Sequence, residues 1–300
     1  MGGHHHEHGT LKGRNLFISV ILNLGITLAQ VAGGILSGSM ALLSDALHNF
    51  SDVLSLLITY VAHRLSSRKN TEKHTFGYRR AEILAAFINA MTLLVIAAFL
   101  GFEAIQRIVH PHPVDSVVVI WLAVASIVIN GSSVLLIHSG AKESINIKSA
   151  YLHLFTDMLT SIAVLAGGFL MKYWGLFWAD GLITLLISLY LIYSSWHLFI
   201  ESVNIIMLFT PRNVDVELLK KRIEAIQGIK NLHHLHLWQL TDNDIQMEAH
   251  IDLETDQPVS VFEQQLAQIR KIAAGMGIGH VTIQPEFDSK DDKELIHNHS

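Results

Sequence analysis

The sequence predicts an α-helical membrane protein, with six transmembrane helices followed by a small α+β domain of ferredoxin-like type. Three observations carry this. Half of the 300 residues are hydrophobic and only 16% are charged, with mean hydropathy +0.38, whereas a soluble domain carries about a quarter charged residues. Six apolar spans recur, each of roughly 20 residues, the length a helix needs to cross ~30 Å of hydrocarbon. After Thr210-Pro211 the composition becomes that of a soluble domain.

The spans run over about Leu16–Ile35, Ser39–Ala62, Ile83–Ile105, Val117–Ile137, Ala150–Met171 and Phe177–Ile200. Orientation follows from the basic residues at their ends. Lys12, Arg14, Arg64, Arg68, Lys69, Lys73, Arg79, Arg80, Lys142 and Lys148 fall on one side, against Arg107 and Lys172 on the other. This bias predicts a multi-pass protein of the cell (inner) membrane with both termini in the cytoplasm. The N-terminus shows no basic-then-apolar signal pattern. Ala32-Gly33-Gly34 and Ser37-Gly38-Ser39 permit close helix approach or a tight outer turn.

Beyond Pro211, Val214–Ile226 has the apolar stripe of a helix and Leu232–Leu240 reads as a strand. Ile245–Glu254 alternates, with Met247, Ala249, Ile251 and Leu253 on one face and Gln246, Glu248, His250 and Asp252 on the other. Phe262, Leu266, Ile269 and Ala273 mark a second helix, and His280–Phe287 a last strand. The order αββαβ predicts helices on one side of a sheet. The organisation is thus a His-rich disordered tail (1–11), a six-helix domain (12–207), a cytoplasmic α+β metal-binding and dimerisation domain (208–287) and a polar, disordered tail (288–300).

Two copies of one pattern stand out: His48-x-x-x-Asp52 in the second span and His153-x-x-x-Asp157 in the fifth. Ionisable groups at bilayer depth are costly and rarely idle. A spacing of four puts both side chains on one helix face. A single His or Asp there can be a satisfied interhelical hydrogen bonder. Two matched faces offer two imidazoles and two carboxylates, a tetrahedral set suited to Zn²⁺. The chain has 19 histidines and no cysteine, so any metal is held by His, Asp, Glu, backbone or water. Asp45 shares the face of His48 and Asp52, as a group that orients a histidine, a packing group or a way-station. Asn23, Thr27, Gln30, Asn130 and Asp180 read as interhelical hydrogen bonders. Glu82 and Glu103 sit near span ends, where snorkelling or a nearby Arg suffices. No G-x-x-x-x-G-K-[ST] loop and no H-E-x-x-H motif occur. No basic stripe argues for nucleic acid, and no nucleotide partner is expected.

Gly34-Ile-Leu-Ser-Gly-Ser-Met-Ala-Leu-Leu-Ser-Asp-Ala-Leu-His-Asn-Phe-Ser-Asp52 resembles the second-helix signature of the cation diffusion facilitator family. His74-Thr-Phe-Gly-Tyr-Arg-Arg-Ala-Glu82 resembles the entrance to that family's third helix, and Leu152-His-Leu-Phe-Thr-Asp157 its fifth. The resemblance covers about residues 12–287 and is nearest to the bacterial zinc-exporter branch, where His233-His-Leu-His-Leu-Trp238 and His280-Val-Thr-Ile-Gln-Pro-Glu286 also have counterparts. It implies a homodimeric, non-enzymatic antiporter that expels a divalent metal ion and admits H⁺, with Zn²⁺ as transported substrate and possible regulator. The transport site it implies is His48, Asp52, His153 and Asp157, and His at both leading positions resembles the zinc-preferring pattern. Both donor types bind metal only when deprotonated, and a free histidine titrates near neutrality, so protons compete with the ion.

The resemblance also implies a cytoplasmic site, for which His233, His250 and Glu286 match best by position. His234, His236 and His280 are weaker candidates, since a solvated sheet face explains them equally. Gln284 stands where the family often has another His. His74 is a further weak candidate, with only Glu72 close. Alternatives to a zinc exporter are a same-fold exporter of Cd²⁺, Co²⁺, Ni²⁺ or Fe²⁺, a membrane-bound metal sensor, and an intramembrane zinc hydrolase. The last lacks an obvious general base.

Overall fold

The structure, a computed structural model, describes residues 7–137, 145–290 and 292–296, with side chains described over 21–135, 151–290 and 292–296. The His4–His8 stretch, the Lys142 region and His297–His299 lie outside the described side chains. The chain divides into two units, residues 1–58 with 88–197 and residues 59–87 with 198–300.

Six long helices come first: α1 (Glu7–Ser37), α2 (Met40–Ser66), α3 (Ala81–Val109), α4 (Ser116–Ile137), α5 (Ile145–Trp174) and α6 (Trp178–Ile206). Five are long and apolar enough to cross a membrane, and within α1 the stretch Ile21–Ser37 is a shorter apolar helix. The helices outrun the apolar spans read from sequence. Hydropathy marks only the part in hydrocarbon, while α2 continues through His63 and Arg64 to Ser66. Exposed surface on these helices is rich in large apolar residues, such as Leu36, Trp121, Leu135 and Tyr193. Their interior holds Thr27, Gln30, Ser44, Asp45, His48, Asn49, Ser126, Asn130 and Asp157. That inverted polarity suits helices held together by packing and interhelical hydrogen bonds in lipid.

The small residues serve both roles expected of them. Gly38, at φ 72°, turns the chain from α1 to α2, a conformation other residues adopt at a cost. A Cβ on Gly34 would lie 3.2 Å from the Cα of Leu43, so α1 and α2 meet nearly backbone to backbone. At the same end, buried Asp180 of α6 accepts from the Ser39 hydroxyl at 2.5 Å and the Met40 N–H at 2.8 Å. It thereby caps the first turn of α2, where orphan N–H groups favour a negative charge. Arg107 of α3 lies 3.7 Å from Asp180 and donates to the Gly38 carbonyl at 2.6 Å. Arg107 also meets Glu103 at 3.8 Å.

The second unit contains the α+β domain: α7 (Val216–Glu224), β1 (Ile229–Thr241), β2 (Asp244–Leu253), α8 (Val259–Ala274) and β3 (Ile278–Glu286). Asp215 caps α7 by accepting from the Leu218 N–H at 3.0 Å. The sheet order is β1-β2-β3, with β1 antiparallel and β3 parallel to β2. Leu219, Ile223, Phe262 and Ile269 of the helices share one core with Leu232, Met247, Ile251 and Ile278 of the sheet. The αββαβ order predicted from alternation is the order observed.

Two details depart from the sequence reading. Strand β1 carries a bulge between His233 and His236, with His234 at φ 50°. The tail, expected to be disordered for its polarity, has residues 292–296 held on the domain. The N–H groups of His234 and Leu235 at the bulge donate to the carbonyls of Glu294 (3.1 Å) and Leu295 (2.8 Å). The Leu295 side chain packs on the core. A bulge frees N–H groups from the regular ladder, and the tail satisfies them.

Candidate metal centre

Helices α2 and α5 bring the two His-x-x-x-Asp faces together. His48 Nδ1 lies 3.5 Å from Asp52 Oδ2, and His153 Nε2 3.5 Å from Asp157 Oδ2. Across the helices, His153 Nε2 is 3.6 Å from Asp52 Oδ2 and His48 Nε2 is 3.9 Å from Asp157 Oδ1. The four residues form a closed ring of near contacts. His48 Nδ1, Asp52 Oδ2 and both Asp157 oxygens are buried and accept or donate no hydrogen bond among the described residues. Buried polar atoms left without a hydrogen-bond partner call for an explanation, and a cation is one. Tetrahedral zinc bonds of about 2.0–2.1 Å give ligand–ligand edges of about 3.3 Å, but the four contacts draw on both nitrogens of His48 and both oxygens of Asp157, so no three of these residues bring one ligand atom each within 4.8 Å of the others. His48 spends one nitrogen on each carboxylate, so the ring is more open than a closed ligand shell. Capture of an ion calls for a turn of that imidazole.

The ring is unevenly exposed. The side chains of Asp52 and His153 are 25% and 41% exposed, and those of His48 and Asp157 10% and 0%. The open pair lies nearer the Ser66 end of α2 and the Ile145 end of α5.

Asp45 lies behind the ring, fully buried. It accepts from Gln30 Nε2 of α1 at 2.7 Å, and from Thr160 and Ser161 of α5 at 2.8 and 3.2 Å. Of the three roles open for it, the geometry displays a hub that joins three helices beside the ring. Ser161 continues through Ser126 of α4, at 2.8 Å, toward Asn130. Thr27 bonds within its own helix to the Asn23 carbonyl. Glu82 takes no Arg, but meets Ser66 at 2.6 Å and His63 at 2.9 Å.

The cytoplasmic candidates split. His233, His250 and Glu286 each bring one ligand atom within 4.8 Å of the other two, the one such compact set among the described residues. They come from three strands, because the register places His233 opposite His250 and Asp252 beside Glu286. His250 Nδ1 lies 2.8 Å from Glu286 Oε1 and His233 Nε2 3.3 Å from Glu286 Oε2. Gln284 donates to Glu286 Oε1 at 3.0 Å, orienting that carboxylate from the position where the family often has another His. His234 stacks on His250 with ring centres 4.5 Å apart, and His236 stands 5.1 Å from His234. His280 is exposed on β3, six residues from Glu286 and so ~20 Å along the strand. His74 sits in an exposed turn, against Thr71 at 3.3 Å and stacked on Tyr78, away from any gathered set of ligands among the described residues.

Two residues of this cluster were not picked out in the sequence. Asp252 Oδ2 lies 3.7 Å from His233 Nδ1. Its parity with His250 on β2 was the available signal. The second is Lys293 of the tail, whose Nζ lies 2.8 Å from Asp252 Oδ1 and 3.1 Å from Glu286 Oε2.

Comparison with known proteins agrees with both domains. Residues 16–207 match the cation efflux transmembrane domain, and residues 211–288 the cytoplasmic domain of cation efflux proteins. The chain is 35% identical over 296 residues to a Bacillus subtilis protein named cadmium, cobalt and zinc/H(+)-K(+) antiporter, covering 98% of this chain and 95% of that one. It is 35% identical over 286 residues to the metal cation efflux system protein CzcD of Cupriavidus metallidurans, covering 95% and 90%. It is 34% identical over 279 residues to the zinc transporter ZitB of Escherichia coli, covering 92% and 88%. With both domains matched along nearly its whole length, the chain belongs to the cation efflux, or cation diffusion facilitator, family of multi-pass metal transporters, in its zinc-exporter branch.

Proposed function

We propose that this protein exports Zn²⁺ from the cytoplasm in exchange for H⁺, carrying the ion by alternating access at His48, Asp52, His153 and Asp157. The observation that carries the reading is the ring of two imidazoles and two carboxylates between two helices, with buried atoms of His48, Asp52 and Asp157 that have no hydrogen-bond partner among the described residues. Imidazole nitrogen and carboxylate oxygen bind the ion only when deprotonated, so protons arriving at the ring displace the metal and its arrival expels them. That competition supplies the coupling with no nucleotide and no chemical step.

With both termini in the cytoplasm of an inner-membrane protein, as the basic residues argue, the exposed pair Asp52 and His153 faces the cytoplasm. The opposite end of α2 is held to α6 by the Asp180 cap. This arrangement supports an ion-loading, inward-facing state. The cytoplasmic domain is read as a dimerisation module whose His233–His250–Glu286 cluster, with Asp252, binds a regulatory metal ion. A domain of this size gains from pairing.

The names of the Bacillus subtilis and Cupriavidus relatives extend to cadmium, cobalt or metal cations generally. The donor set lacks the soft sulfur ligands a Cd²⁺-dedicated site favours, while imidazole suits Zn²⁺, Co²⁺ and Ni²⁺ alike. Proteoliposome flux tests the proposal: Zn²⁺ movement should follow an imposed pH gradient and be lost in His48→Ala and His153→Ala. Flux that persists undiminished in both variants, or that ignores collapse of the pH gradient, defeats it. Parallel assays with Cd²⁺, Co²⁺ and Ni²⁺ set the selectivity.

A further inference from the structure

The tail holds its own cation in the cytoplasmic cluster. Lys293 Nζ donates to Asp252 Oδ1 at 2.8 Å and Glu286 Oε2 at 3.1 Å, and lies 3.4 Å from His233 Nε2. An ammonium has three donors and no acceptor, and here three acceptors from three strands surround it. Two of those contacts use the atoms that a metal ion would use, His233 Nε2 and a Glu286 oxygen. The segment is seated by more than this charge. Glu294 and Leu295 accept main-chain bonds from the β1 bulge, Leu295 enters the core, and Asp292 Oδ1 accepts from the Glu294 N–H at 3.0 Å.

We propose that the C-terminal segment 292–296 is a built-in competitor for the cytoplasmic metal site, and that metal binding there expels Lys293 and releases the segment from β1. The proposal rests on reading the cluster as a metal site. Two considerations make the occupants mutually exclusive. Zinc at about 2.0–2.2 Å from its ligands needs the lone pairs that now face the ammonium. Two cations ~3 Å apart also repel strongly outside bulk water. The charges favour exchange in one direction: Asp252 and Glu286 carry two negative charges, half matched by Lys293 and fully matched by a divalent ion. A tethered competitor acts at high effective concentration without a partner. It sets a threshold, so that only raised metal empties the bulge of its tail. By reciprocity, anything that holds the tail down weakens metal binding by the same factor.

The full-length protein tests this directly. His48→Ala with His153→Ala removes the proposed transport site, leaving the cytoplasmic one to titrate. The chain has no cysteine, so Ile296→Cys gives a single spin-label position in the tail. One equivalent of Zn²⁺ should convert the label from immobile to mobile. Lys293→Met, and separately truncation after Asp288, should tighten zinc binding by about tenfold, the effect of removing a competitor that occupies most of the free protein; in Lys293→Met the label should be mobile before metal is added. If zinc binds, is lost on His250→Ala, yet leaves the label immobile and its affinity unchanged in both tail variants, the competitor is refuted and the metal site stands. If His250→Ala and Glu286→Ala leave zinc binding unaltered, the metal site is refuted and the competitor with it.

Discussion

Thr160 of α5 donates its hydroxyl to Asp45 of α2 at 2.8 Å. Each of these residues stands three positions from a member of the proposed transport site, Thr160 from Asp157 and Asp45 from His48. The bond therefore couples α2 and α5 about one turn from the ring. Thr160→Val should weaken Zn²⁺ binding severalfold, because a buried acceptor left short of a donor costs about 1–3 kcal/mol. Asp45→Ala, which also strands Gln30, should have the larger effect. Equilibrium zinc binding to the purified protein checks both, and equal affinity in Asp45→Ala and parent would reduce the hub to packing.

At the ring itself, His48→Asp replaces an imidazole by a third carboxylate. Oxygen donors favour harder ions, so the preference for Zn²⁺ over Mn²⁺ should fall by about tenfold or more. Competition between the two ions in proteoliposome uptake measures this. An unchanged preference would show that the imidazole does not touch the ion.

The Asp180 cap should be a stability element. Asp180→Ala takes a buried carboxylate from beside Arg107, only 16% exposed, leaving it Glu103 and the Gly38 carbonyl, and strips the first turn of α2 of its acceptor. Breaking a buried pair by removing one partner costs about 3–5 kcal/mol. Thermal unfolding in detergent should show a marked drop, partly recovered by adding Arg107→Gln. A melting temperature equal to the parent's would contradict the assigned role.

The turn joining β1 and β2 supplies a pH test. Burial, then the nearby charges of Glu201 and Glu82, hold the Asp242 carboxyl above its usual range. A carboxyl raised on folding favours the native state when protonated, and that contribution fades as pH rises through its folded value. Asp242→Asn removes the penalty of ionisation. The variant should melt slightly above the parent at pH 7, with the gap closing below about pH 4, where the unfolded carboxyl also takes up its proton. A gap independent of pH would exclude ionisation as its cause.

Much of this molecule was legible in its sequence because membrane and strand periodicities are strong signals. The spacing of four placed His48 with Asp52 and His153 with Asp157, and helix geometry did the rest. Alternation in Ile245–Glu254 separated the core face of β2 from the face bearing His250. What stayed hidden depends on register and on chain return. His233, His250 and Glu286 meet only because β1, β2 and β3 pair as they do, and only the resemblance pointed to that. Lys293 lies in a polar stretch with no periodicity, and the anionic pocket that seats it is assembled from distant strands. The bulge at His234 falls where the leucine alternation changes parity, from Leu232 to Leu235 and Leu237, a break visible in the sequence as two successive histidines.

The hairpin of α1 and α2 has a mechanical meaning. With Gly34 against Leu43 and the chain reversed at Gly38, these helices have little side-chain cushion between them at the ends they share. A side chain at position 34 would crowd the Leu43 backbone, so this approach favours glycine. Asp180 and Arg107 clamp the tip of that hairpin to α6 and α3. A motion of α2 that keeps those contacts carries the neighbouring ends of α3 and α6 with it, and one that breaks them strands a carboxylate and a guanidinium together.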